Sequence, residues 1–582
     1  MNFRKSGTVV DFFLECASEN PEKTAIALAD GREISFAQLA GSVLSTAADI
    51  GALDLPPASR VALGFREGEW IDYAIAYLAT LLSGATAVVL PTDAQLHTLR
   101  LICRDYGTAL VLHPAGDAPP QLGIAARVVG AGGGTPGGGG APRLRVAGPA
   151  TLADIVFTSG STGTPKGVAA THADLLRIAG GYRDRPGAAV LAHGISHSTA
   201  IGTRQLLLST MVRGATMAAC VPFETRAFLA MAAARSASTA VVPAATGRSL
   251  ARALNESPGV RPDALRVLRL VSDYLRPEIH RDLAASLPGA RVINAYGLTE
   301  AGDAHLVVAE EDCDLGPGGH PAPGTEAAIM DEAGALLPPG EEGYVCLRDQ
   351  KTSLSYPTDP FGTVDTWRDG WTLTGDRGRI DASGRVRLTG RDHGLAGIGG
   401  KTVSVASVKA ALESLPGVEA AAVVALPHPT LGQTLAAAVE TTGDPAEADV
   451  ESLADRLAGT LPGHAIPSPL VAVGAMPLSR NGKPHQESVL RLVQQQLASA
   501  SRPCETPTER LVAHAWERVL DLAEPPGAES DFFQLGGDSM SALEIAVELE
   551  NELGVDLPSN ALFTASTPAG LARVLDGLRQ QP

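Results

Sequence analysis

The stretch DIVFTSGSTGTPKGV, residues 154–168, joins an apolar run to a loop made almost entirely of Gly, Ser and Thr, followed by one lysine. The apolar run predicts a buried strand. Glycine lets backbone N–H groups converge on an anion, and the Ser and Thr hydroxyls add further donors. We therefore predict a phosphate-binding loop that follows a strand. The residues expected to contact phosphate are Thr158, Ser159, Gly160, Ser161, Thr162, Gly163 and Lys166.

The order of residues in this loop excludes two common motifs. A Walker A loop needs Gly-Lys followed by Ser or Thr, whereas here Pro165 precedes Lys166 and Gly167 follows it. The nucleophile elbow of hydrolases needs Gly-x-Ser-x-Gly, but Ser159 occupies the position of its first glycine. The loop therefore predicts phosphate binding by a protein of neither class.

The sequence around the loop predicts the fold class of the first part of the chain. Residues 1 to about 385 alternate helical patterns with short apolar segments. The segments 60–65, 85–90, 108–113 and 153–157 predict buried strands with helices between them. This alternation predicts an α/β architecture with largely parallel sheets.

The chain after about residue 390 has a different pattern. Residues 393–490 predict a compact α+β unit, and residues 505–578 predict a small bundle with helices near 507–521, 539–553 and 568–579. The expected divisions are a large α/β subdomain at 1–391, a small α+β subdomain at 392–490, a linker at 491–504 and an all-α four-helix domain at 505–582.

Composition limits the function classes. A chain of 582 residues is too long for one core, so several domains are expected. The net charge of −18 argues against nucleic acid or an anionic membrane as the main partner. Six scattered cysteines without a Cys-x-x-Cys pair predict neither a disulfide framework nor a zinc site. With no secretory leader and no apolar stretch of about 18 residues, a cytoplasmic location is expected.

Three further segments carry a resemblance to a known family. NAYGLTEAG (294–302), WTLTGDRGRIDASGRVRLTGRD (371–392) and PLSRNGKPHQ (477–486) follow the phosphate loop in order. Together the four segments resemble the adenylate-forming (ANL) superfamily, which contains acyl-CoA synthetases, luciferases and the adenylation domains of nonribosomal peptide synthetases. The resemblance covers about residues 10–490.

The resemblance implies ATP and Mg²⁺ as ligands and assigns roles to single residues. Lys483 would be the lysine of adenylation, and the hinge between subdomains would lie at Asp392 or His393, where relatives carry Asp or Lys. The implied nucleotide contacts are Tyr296 on adenine, Thr299 on phosphate, Glu300 on Mg²⁺, Asp376 on both ribose hydroxyls, and Arg391 near the hinge. Such residues suit the chemistry, because a carboxylate that attacks the α-phosphate of ATP builds negative charge that Lys483 and Mg²⁺ offset.

The segment DFFQLGGDSMSALEIAVELENELGVDL, residues 531–557, indicates a different function. Ser539 begins a helix whose apolar face is Ala542, Ala546, Leu549 and Leu553. A helix N-cap alone would explain a serine there. The whole segment, however, resembles the carrier domains of nonribosomal peptide synthetases, which implies that Ser539 bears 4′-phosphopantetheine, attached by a phosphopantetheinyl transferase.

The two halves together predict an adenylation–thiolation didomain that loads its own carrier for natural-product biosynthesis. The loaded carrier would then meet separate condensation or tailoring enzymes, and an auxiliary activator protein stays open. The residues Glu544, Glu548 and Glu550 would offer an acidic surface to basic partner enzymes. Coenzyme A as the acceptor, and a non-catalytic carrier scaffold with a decayed adenylation domain, are the alternatives.

The acid substrate is less defined by the sequence. No Asp or Glu occurs between Asp184 and Glu224, so a buried α-ammonium would lack its counterion, and an α-amino acid is disfavoured without being excluded. Bulk at Ser272–Tyr274, where relatives have small residues, predicts a short or flat pocket. We expect an aryl acid or a small atypical acid. The predicted pocket residues are His193, His197, Ser198, Ile201, Ser272 and Asp273.

Overall fold

The computed structural model divides the chain into two compact units. The first comprises Met1–Thr389 together with Arg480–Lys483, and the second comprises Gly390–Ser479 and Pro484–Pro582. The described residues are 7–56, 58–92, 94, 96–115, 122–129, 148–158, 166–181, 189–256, 261–331, 334–349, 354–357, 366–391, 395–398, 401–428, 432–442, 450–457, 461, 465–479, 483–499, 502–520, 522, 524–532, 535, 539–555, 557 and 561–579.

The first unit contains a six-stranded sheet that holds the phosphate-loop strands. Its order is β6-β5-β3-β4-β7-β8, and all neighbours are parallel except the antiparallel pair β7–β8. Alanine and branched apolar residues fill both faces, as expected for strands covered on both sides. The strands are β3 (Arg60–Leu63), β4 (Thr86–Val89), β5 (Thr108–Pro114), β6 (Ala125–Val129), β7 (Leu152–Thr158) and β8 (Lys166–Thr171).

A larger sheet completes the first unit. Its order is β16-β17-β19-β20-β15-β14-β13-β12-β11-β9-β10-β1-β2, with β18 paired to β19. Its strands are β1 (Thr24–Leu28), β2 (Glu33–Ser35), β9 (Val190–His193), β10 (Thr216–Ala219), β11 (Thr239–Pro243), β12 (Val267–Val271), β13 (Arg291–Gly297), β14 (His305–Val308), β15 (Gly318–Pro321), β16 (Thr325–Met330), β17 (Gly343–Asp349), β18 (Trp367–Arg368), β19 (Trp371–Ile380) and β20 (Val386–Arg391).

Helices cover these sheets and begin where the sequence supplies caps. At the start of Phe36–Gly51, the Ser35 side chain accepts from the backbone N–H of Gln38, whose side chain accepts in return from the Ser35 N–H. The helices are α1 (Val9–Glu19), α2 (Phe36–Gly51), α3 (Trp70–Leu82), α4 (Leu96–Asp105), α5 (His172–Gly181), α6 (Leu208–Met211), α7 (Thr225–Ala234), α8 (Gly247–Glu256) and α9 (Pro277–Ser286), with a π-helix at Ile201–Leu207 and short 3-10 turns at Ala244–Thr246, Thr299–Ala301 and Glu310–Leu315.

The second unit begins with a small α+β fold. Four strands form the order β22-β21-β24-β23, and β25 joins β24 in parallel. The elements are β21 (Leu395–Ile398), β22 (Lys401–Ser404), α10 (Val405–Glu413), β23 (Val418–His428), β24 (Gly432–Thr441), α11 (Val450–Leu457), β25 (Leu470–Val473) and α12 (Gln486–Ser499). This arrangement agrees with the α+β pattern expected for this part of the chain.

The second unit ends in a helical bundle with its own core. Trp516, Phe532, Ile545 and Leu549 lie in that core, and the predicted face residue Ala542 is buried with them. The Gln494 side chain of α12 donates a hydrogen bond of 2.6 Å to the Leu535 carbonyl, four residues before Ser539. Among the described residues of this bundle, the helices are α13 (Pro507–Val519), α14 (Ser539–Leu553), α15 (Ala561–Thr564) and α16 (Pro568–Arg579), in agreement with the expected all-α domain.

Two sequence expectations concern the chain as a whole. All six cysteines are free thiols, as expected. Within the described ranges, no helix is both long and apolar enough to cross a membrane. The predicted cytoplasmic location stays a prediction.

Candidate active site

The candidate site lies where four parallel strands end. Strands β9, β11, β12 and β13 run parallel in the large sheet, so their carboxyl ends share one edge. That edge is the usual position of ligand sites in open α/β sheets. His193 ends β9, Ser272 and Asp273 follow β12, and Thr299 and Glu300 follow β13. Tertiary structure thus collects segments that the sequence separates by about a hundred residues.

Tyr296 and Asp376 meet although they come from different motifs. The Tyr296 hydroxyl, on β13, donates a hydrogen bond to the Asp376 carboxylate, on β19. The backbone N–H of Asp376 donates to the Thr374 hydroxyl at 3.1 Å, which fixes the strand beneath the carboxylate. The two residues assigned to the adenine and the ribose are therefore neighbours, as one bound nucleoside requires.

Glu300 is held by two aromatic residues that the sequence did not single out. The Tyr356 hydroxyl donates to Glu300 Oε1 at 3.0 Å, and the Trp367 indole N–H donates to the Glu300 carbonyl at 2.9 Å. The Tyr356 and Trp367 rings lie 4.8 Å apart. The Tyr356 contact orients the carboxylate and the Trp367 contact holds the backbone of Glu300. Carboxylate oxygen is a ligand that Mg²⁺ accepts. Glu300 therefore fits the predicted magnesium role.

The phosphate loop connects β7 to β8. Thr158 ends β7, and its hydroxyl donates to the Lys166 carbonyl at 3.5 Å. Lys166 was predicted as a loop residue but is the first residue of β8, because antiparallel pairing with Thr158 extends the hairpin to that position. Its ammonium lies 5.4 Å from the centre of the Tyr356 ring. The predicted residues Ser159, Gly160, Ser161, Thr162 and Gly163 lie outside the described residues.

His193 and His197 belong to a buried aromatic cluster. The rings of Trp70 and His193 lie 5.0 Å apart, and His197 stacks on Tyr73 at 4.2 Å. The Ile195 N–H donates to His193 Nδ1 at 3.2 Å, so the neutral ring carries its proton on Nε2. Burial lowers the pKa of His193 to about 3 and keeps the ring neutral. Among the described residues, its Nε2–H meets no acceptor.

The other predicted pocket residues lie on two segments. Ser198 is buried, with its hydroxyl 3.3 Å from that of Thr92, and Ile201 begins the π-helix. Asp273 Oδ1 accepts the N–H of Tyr274 at 2.8 Å, and Ser272 has a φ of 79°. A positive φ is costly for a residue that carries a side chain, so the backbone at Ser272 is strained.

The Tyr274 hydroxyl donates to the Cys313 carbonyl at 3.4 Å. Part of the bulk of this segment therefore packs against the turn at Glu310–Leu315. The prediction of a short or flat pocket, which depended on that bulk, stays a prediction.

The remaining predicted residues are placed only in part. Lys483 is exposed and lies in the segment Arg480–Lys483, which is grouped with the first unit. Arg391 ends β20, and Ser539 begins α14. The side chains of Arg391 and Ser539 and the hinge residues Asp392 and His393 lie outside the described residues.

Asp303 is a charged residue of this region that sequence reasoning missed. It lies three residues after Glu300, and its Oδ1 is shielded from solvent and accepts no hydrogen bond from any described residue. Burial, followed by the charge of Asp349, raises the pKa of Asp303 to about 7, while Arg269 opposes the rise. His305 Nδ1 lies 2.6 Å from the Asp303 carbonyl and donates to it. Nothing in the sequence pattern distinguishes Asp303 from a surface aspartate, because its environment comes from distant strands.

Replacing Asp303 with asparagine is expected to remove a pH dependence of stability. Below about pH 4 the carboxyl is protonated in the folded and unfolded chain alike. Between about pH 4 and 7 only the unfolded chain releases the proton, so the wild type loses stability as pH rises, by about 4 kcal/mol at most. Urea unfolding of both proteins across this range measures the difference.

The control for this prediction is Asp263→Asn, which changes an exposed aspartate of the same unit. Its stability relative to wild type should not vary with pH in this way. If the free energies of unfolding of Asp303→Asn and wild type differ by a constant amount from about pH 4 to 8, the pKa of Asp303 is the same in the folded and unfolded chain, which would contradict the prediction.

The site as a whole suits the binding of an anionic nucleotide. A phenol and a carboxylate lie together where a nucleoside could bind, the oriented Glu300 carboxylate could hold a metal ion, and the Gly/Ser/Thr segment of the sequence follows β7 of the six-stranded sheet. A largely aromatic cluster lies at the end of β9 on the same edge. Such a site can bring a carboxylic acid to a nucleoside triphosphate.

Three family models match the chain in succession. Residues 13–356 match the AMP-binding enzymes, residues 407–483 match the C-terminal domain of AMP-binding enzymes, and residues 510–575 match the phosphopantetheine attachment site. The first match alone covers more than half of the chain.

Curated relatives and solved structures are also similar. Phosphinothricin tripeptide synthetase PhsC of Streptomyces viridochromogenes is 29% identical over 608 residues, which cover 97% of this chain and 53% of PhsC. Phenyloxazoline synthase MbtB of Mycobacterium sp. is 28% identical over 604 residues, covering 98% of this chain and 50% of MbtB. The chain thus spans about half the length of these relatives. The structure of ATP-bound MatB from Rhodopseudomonas palustris is 25% identical with a TM-score of 0.67, covering 82% of this chain and 98% of MatB.

Proposed function

Because the chain belongs to the AMP-binding enzyme family, we propose that it activates a carboxylic acid with ATP and transfers the acyl group to its own carrier domain. The chain joins an adenylation domain to a C-terminal carrier domain, as the sequence predicted. The observation that carries the proposal is the convergence of Tyr296 and Asp376 from separate motifs through one hydrogen bond, next to the oriented Glu300. The setting would be natural-product biosynthesis of the nonribosomal peptide type.

The first step forms an acyl adenylate. A carboxylate oxygen of the acid attacks the α-phosphorus of ATP, and the bond from that phosphorus to the bridging oxygen breaks to release pyrophosphate. Asp376 would hold the ribose and Tyr296 the adenine, while the loop that follows Thr158 would hold the departing phosphates. Mg²⁺ held by Glu300 would supply positive charge to the phosphate oxygens.

Lys483 would offset the charge that grows on the acyl and bridging oxygens during this step. Withdrawal of Lys483 at a hinge near Asp392 or His393 would then open the adenylate to a thiol.

The second step loads the carrier. A 4′-phosphopantetheine arm on Ser539, when attached, supplies the thiol that accepts the acyl group. The new bond joins sulfur to the acyl carbon, the bond from that carbon to the phosphate oxygen breaks, and AMP leaves with the thiol proton released to solvent. Tethering on the same chain replaces a bimolecular encounter with an effective concentration of the order of mM. The proposed partners are a phosphopantetheinyl transferase and separate condensation or tailoring enzymes, with an auxiliary activator protein left open.

For the substrate we propose an aryl acid or a small atypical acid. The cluster at the end of β9 is largely aromatic, and burial keeps His193 uncharged at physiological pH. Such a lining accepts a flat or uncharged acyl group more readily than a zwitterion, whose ammonium would lose its hydration. An amino acid is the alternative.

ATP–pyrophosphate exchange over a panel of aryl, α-amino, β-amino and short-chain acids tests the proposed activity. We expect exchange that depends on one class of acid, with aryl or small atypical acids exceeding α-amino acids by about tenfold or more. Exchange with one α-amino acid alone would support the alternative substrate. ATP binding without exchange across the whole panel would favour the non-catalytic scaffold, and acyl transfer to free coenzyme A in preference to the loaded carrier would favour the coenzyme A ligase.

A further inference from the structure

A buried ion pair links the phosphate-loop strands to the π-helix. Arg204, within the π-helix, donates to the Asp154 carboxylate from Nη2 at 2.7 Å and from Nε at 3.1 Å. Arg204 Nη2 also donates to the Val168 carbonyl at 2.7 Å. Asp154 lies on β7 and Val168 on β8, so one guanidinium bonds to both strands that flank the phosphate loop.

The pair is removed from water almost completely. The side chains of Arg204 and Asp154 are 1% and 0% exposed. The Tyr77 hydroxyl of α3 donates to Asp154 Oδ2 at 2.8 Å, and Arg204 Nε lies 3.2 Å from the same oxygen. Arg204 Nη1, by contrast, has no acceptor among the described residues. A pair kept for stability alone would be expected either to satisfy every donor or to be replaced by apolar residues, because the desolvation of two buried charges is costly.

The π-helix has further anchors besides this ion pair. The Tyr73 hydroxyl lies 2.5 Å from the Thr203 hydroxyl, which itself donates to the His197 carbonyl. The Gln205 side chain donates to the Gly302 carbonyl at 3.3 Å, two residues after Glu300. Three successive residues of the π-helix therefore bond to the aromatic cluster, to the phosphate-loop strands and to the segment that carries Glu300. π-helical turns occur often at functional sites.

We propose that Arg204 and Asp154 are positioning residues for adenylation. They hold the π-helix, which borders the predicted acid pocket, at a fixed distance from the strands of the phosphate loop. This inference rests on the proposed function, because its consequence is the alignment of the acid carboxylate with the α-phosphate of ATP. Misalignment of about 1 Å lowers the rate of such a step strongly while each substrate still binds. The pair thus acts on kcat more than on either KM.

The test replaces both partners, because removal of one would leave an uncompensated buried charge. The variant Asp154→Leu/Arg204→Met keeps approximate volume and removes both charges. The control is Arg252→Met/Glu256→Leu, which deletes an exposed pair of 2.7 Å on α8. Circular dichroism and urea unfolding give the folded fraction of each protein, and ATP–pyrophosphate exchange gives kcat and KM per folded molecule.

We expect the Asp154/Arg204 variant to fold and to show a kcat lower by about tenfold to a hundredfold, with both KM values changed by less than about threefold. The control should match wild type. A folded variant with wild-type kcat would overturn the inference. A fall in activity that only follows the folded fraction would also overturn it, because the pair would then be purely structural.

Amide hydrogen exchange separates this inference from the proposed activity. In wild type, Mg-ATP alone should slow exchange at residues 201–207, and this effect should be absent from the Asp154/Arg204 variant and present in the control. If Mg-ATP does not slow amide hydrogen exchange at residues 201–207 in the wild type, the proposed link between the phosphate-loop strands and the π-helix would be overturned. Absence of acid-dependent ATP–pyrophosphate exchange in the wild type would instead overturn the proposed activity.

Discussion

Replacing Lys483 with alanine is expected to lower the rate of acid-dependent ATP–pyrophosphate exchange by about a hundredfold to a thousandfold. The lysine charge would act on oxygens that become negative only in the transition state, and loss of one such group has effects of this size. The affinity for Mg-ATP should stay within a few-fold of wild type, because the nucleoside and the departing phosphates contact other residues. Exchange kinetics and isothermal titration with Mg-ATP measure the two quantities.

The matched control is Lys409→Ala, on α10. Lys409 Nζ lies 3.8 Å from the Glu413 carboxylate, four residues later on the same helix, and this pair has no proposed role in catalysis. The Lys409→Ala variant should keep the wild-type rate of ATP–pyrophosphate exchange. Retention of more than about a tenth of the rate by Lys483→Ala would assign the adenylation charge to another residue.

Replacing Ser539 with alanine is expected to abolish attachment of the phosphopantetheine arm and therefore all loading of the carrier. Intact-protein mass spectrometry after incubation with coenzyme A and a phosphopantetheinyl transferase should show one added arm on wild type and none on the variant. ATP–pyrophosphate exchange should be unaffected, since activation precedes transfer and does not use the thiol. The loss of loading should be complete, because no other atom replaces a covalent attachment point.

The control for the carrier is Ser541→Ala, two residues later in the same helix. This variant should accept the arm and the acyl group as wild type does. Equal modification of Ser539→Ala and wild type would place the attachment site elsewhere. Normal modification of Ser539 followed by no acyl loading would separate a correct carrier assignment from an adenylation domain that does not serve it.

The strands and helices that depend on local sequence patterns were predictable. Apolar runs at 60–65, 85–90 and 108–113 correspond to β3, β4 and β5, because a strand buried on both faces needs continuous apolar residues. The carrier helix begins at Ser539, where the motif predicted it. The π-helix at Ile201–Leu207 was not predictable, because its extra residue per turn depends on contacts of Arg204, Thr203 and Gln205 with distant strands.

The sequence predicted the motifs that contribute to the candidate site. It did not predict most of the contacts between their side chains. Tyr296, Glu300 and Asp376 were named from the sequence, and the structure brings Tyr296 and Asp376 into contact. Tyr356 and Trp367, which orient Glu300, carried no signal, because a lone tyrosine or tryptophan is usually explained by packing. The acid pocket is the least predictable part, since it is built from side chains of several elements.

The sequence by itself determined the order of the domains. It also predicted the four adenylation motifs and the serine of the carrier, because each is a short pattern whose residue types and spacing already limit its chemistry. The tertiary structure alone decided which motifs share a site. Tyr296 and Asp376 lie 80 positions apart, and Asp154 and Arg204 lie 50 apart. It also decided the burial that raises the pKa of Asp303 to about 7. Contact between distant residues and the removal of water from a charged group are properties of packing, and no local pattern records them.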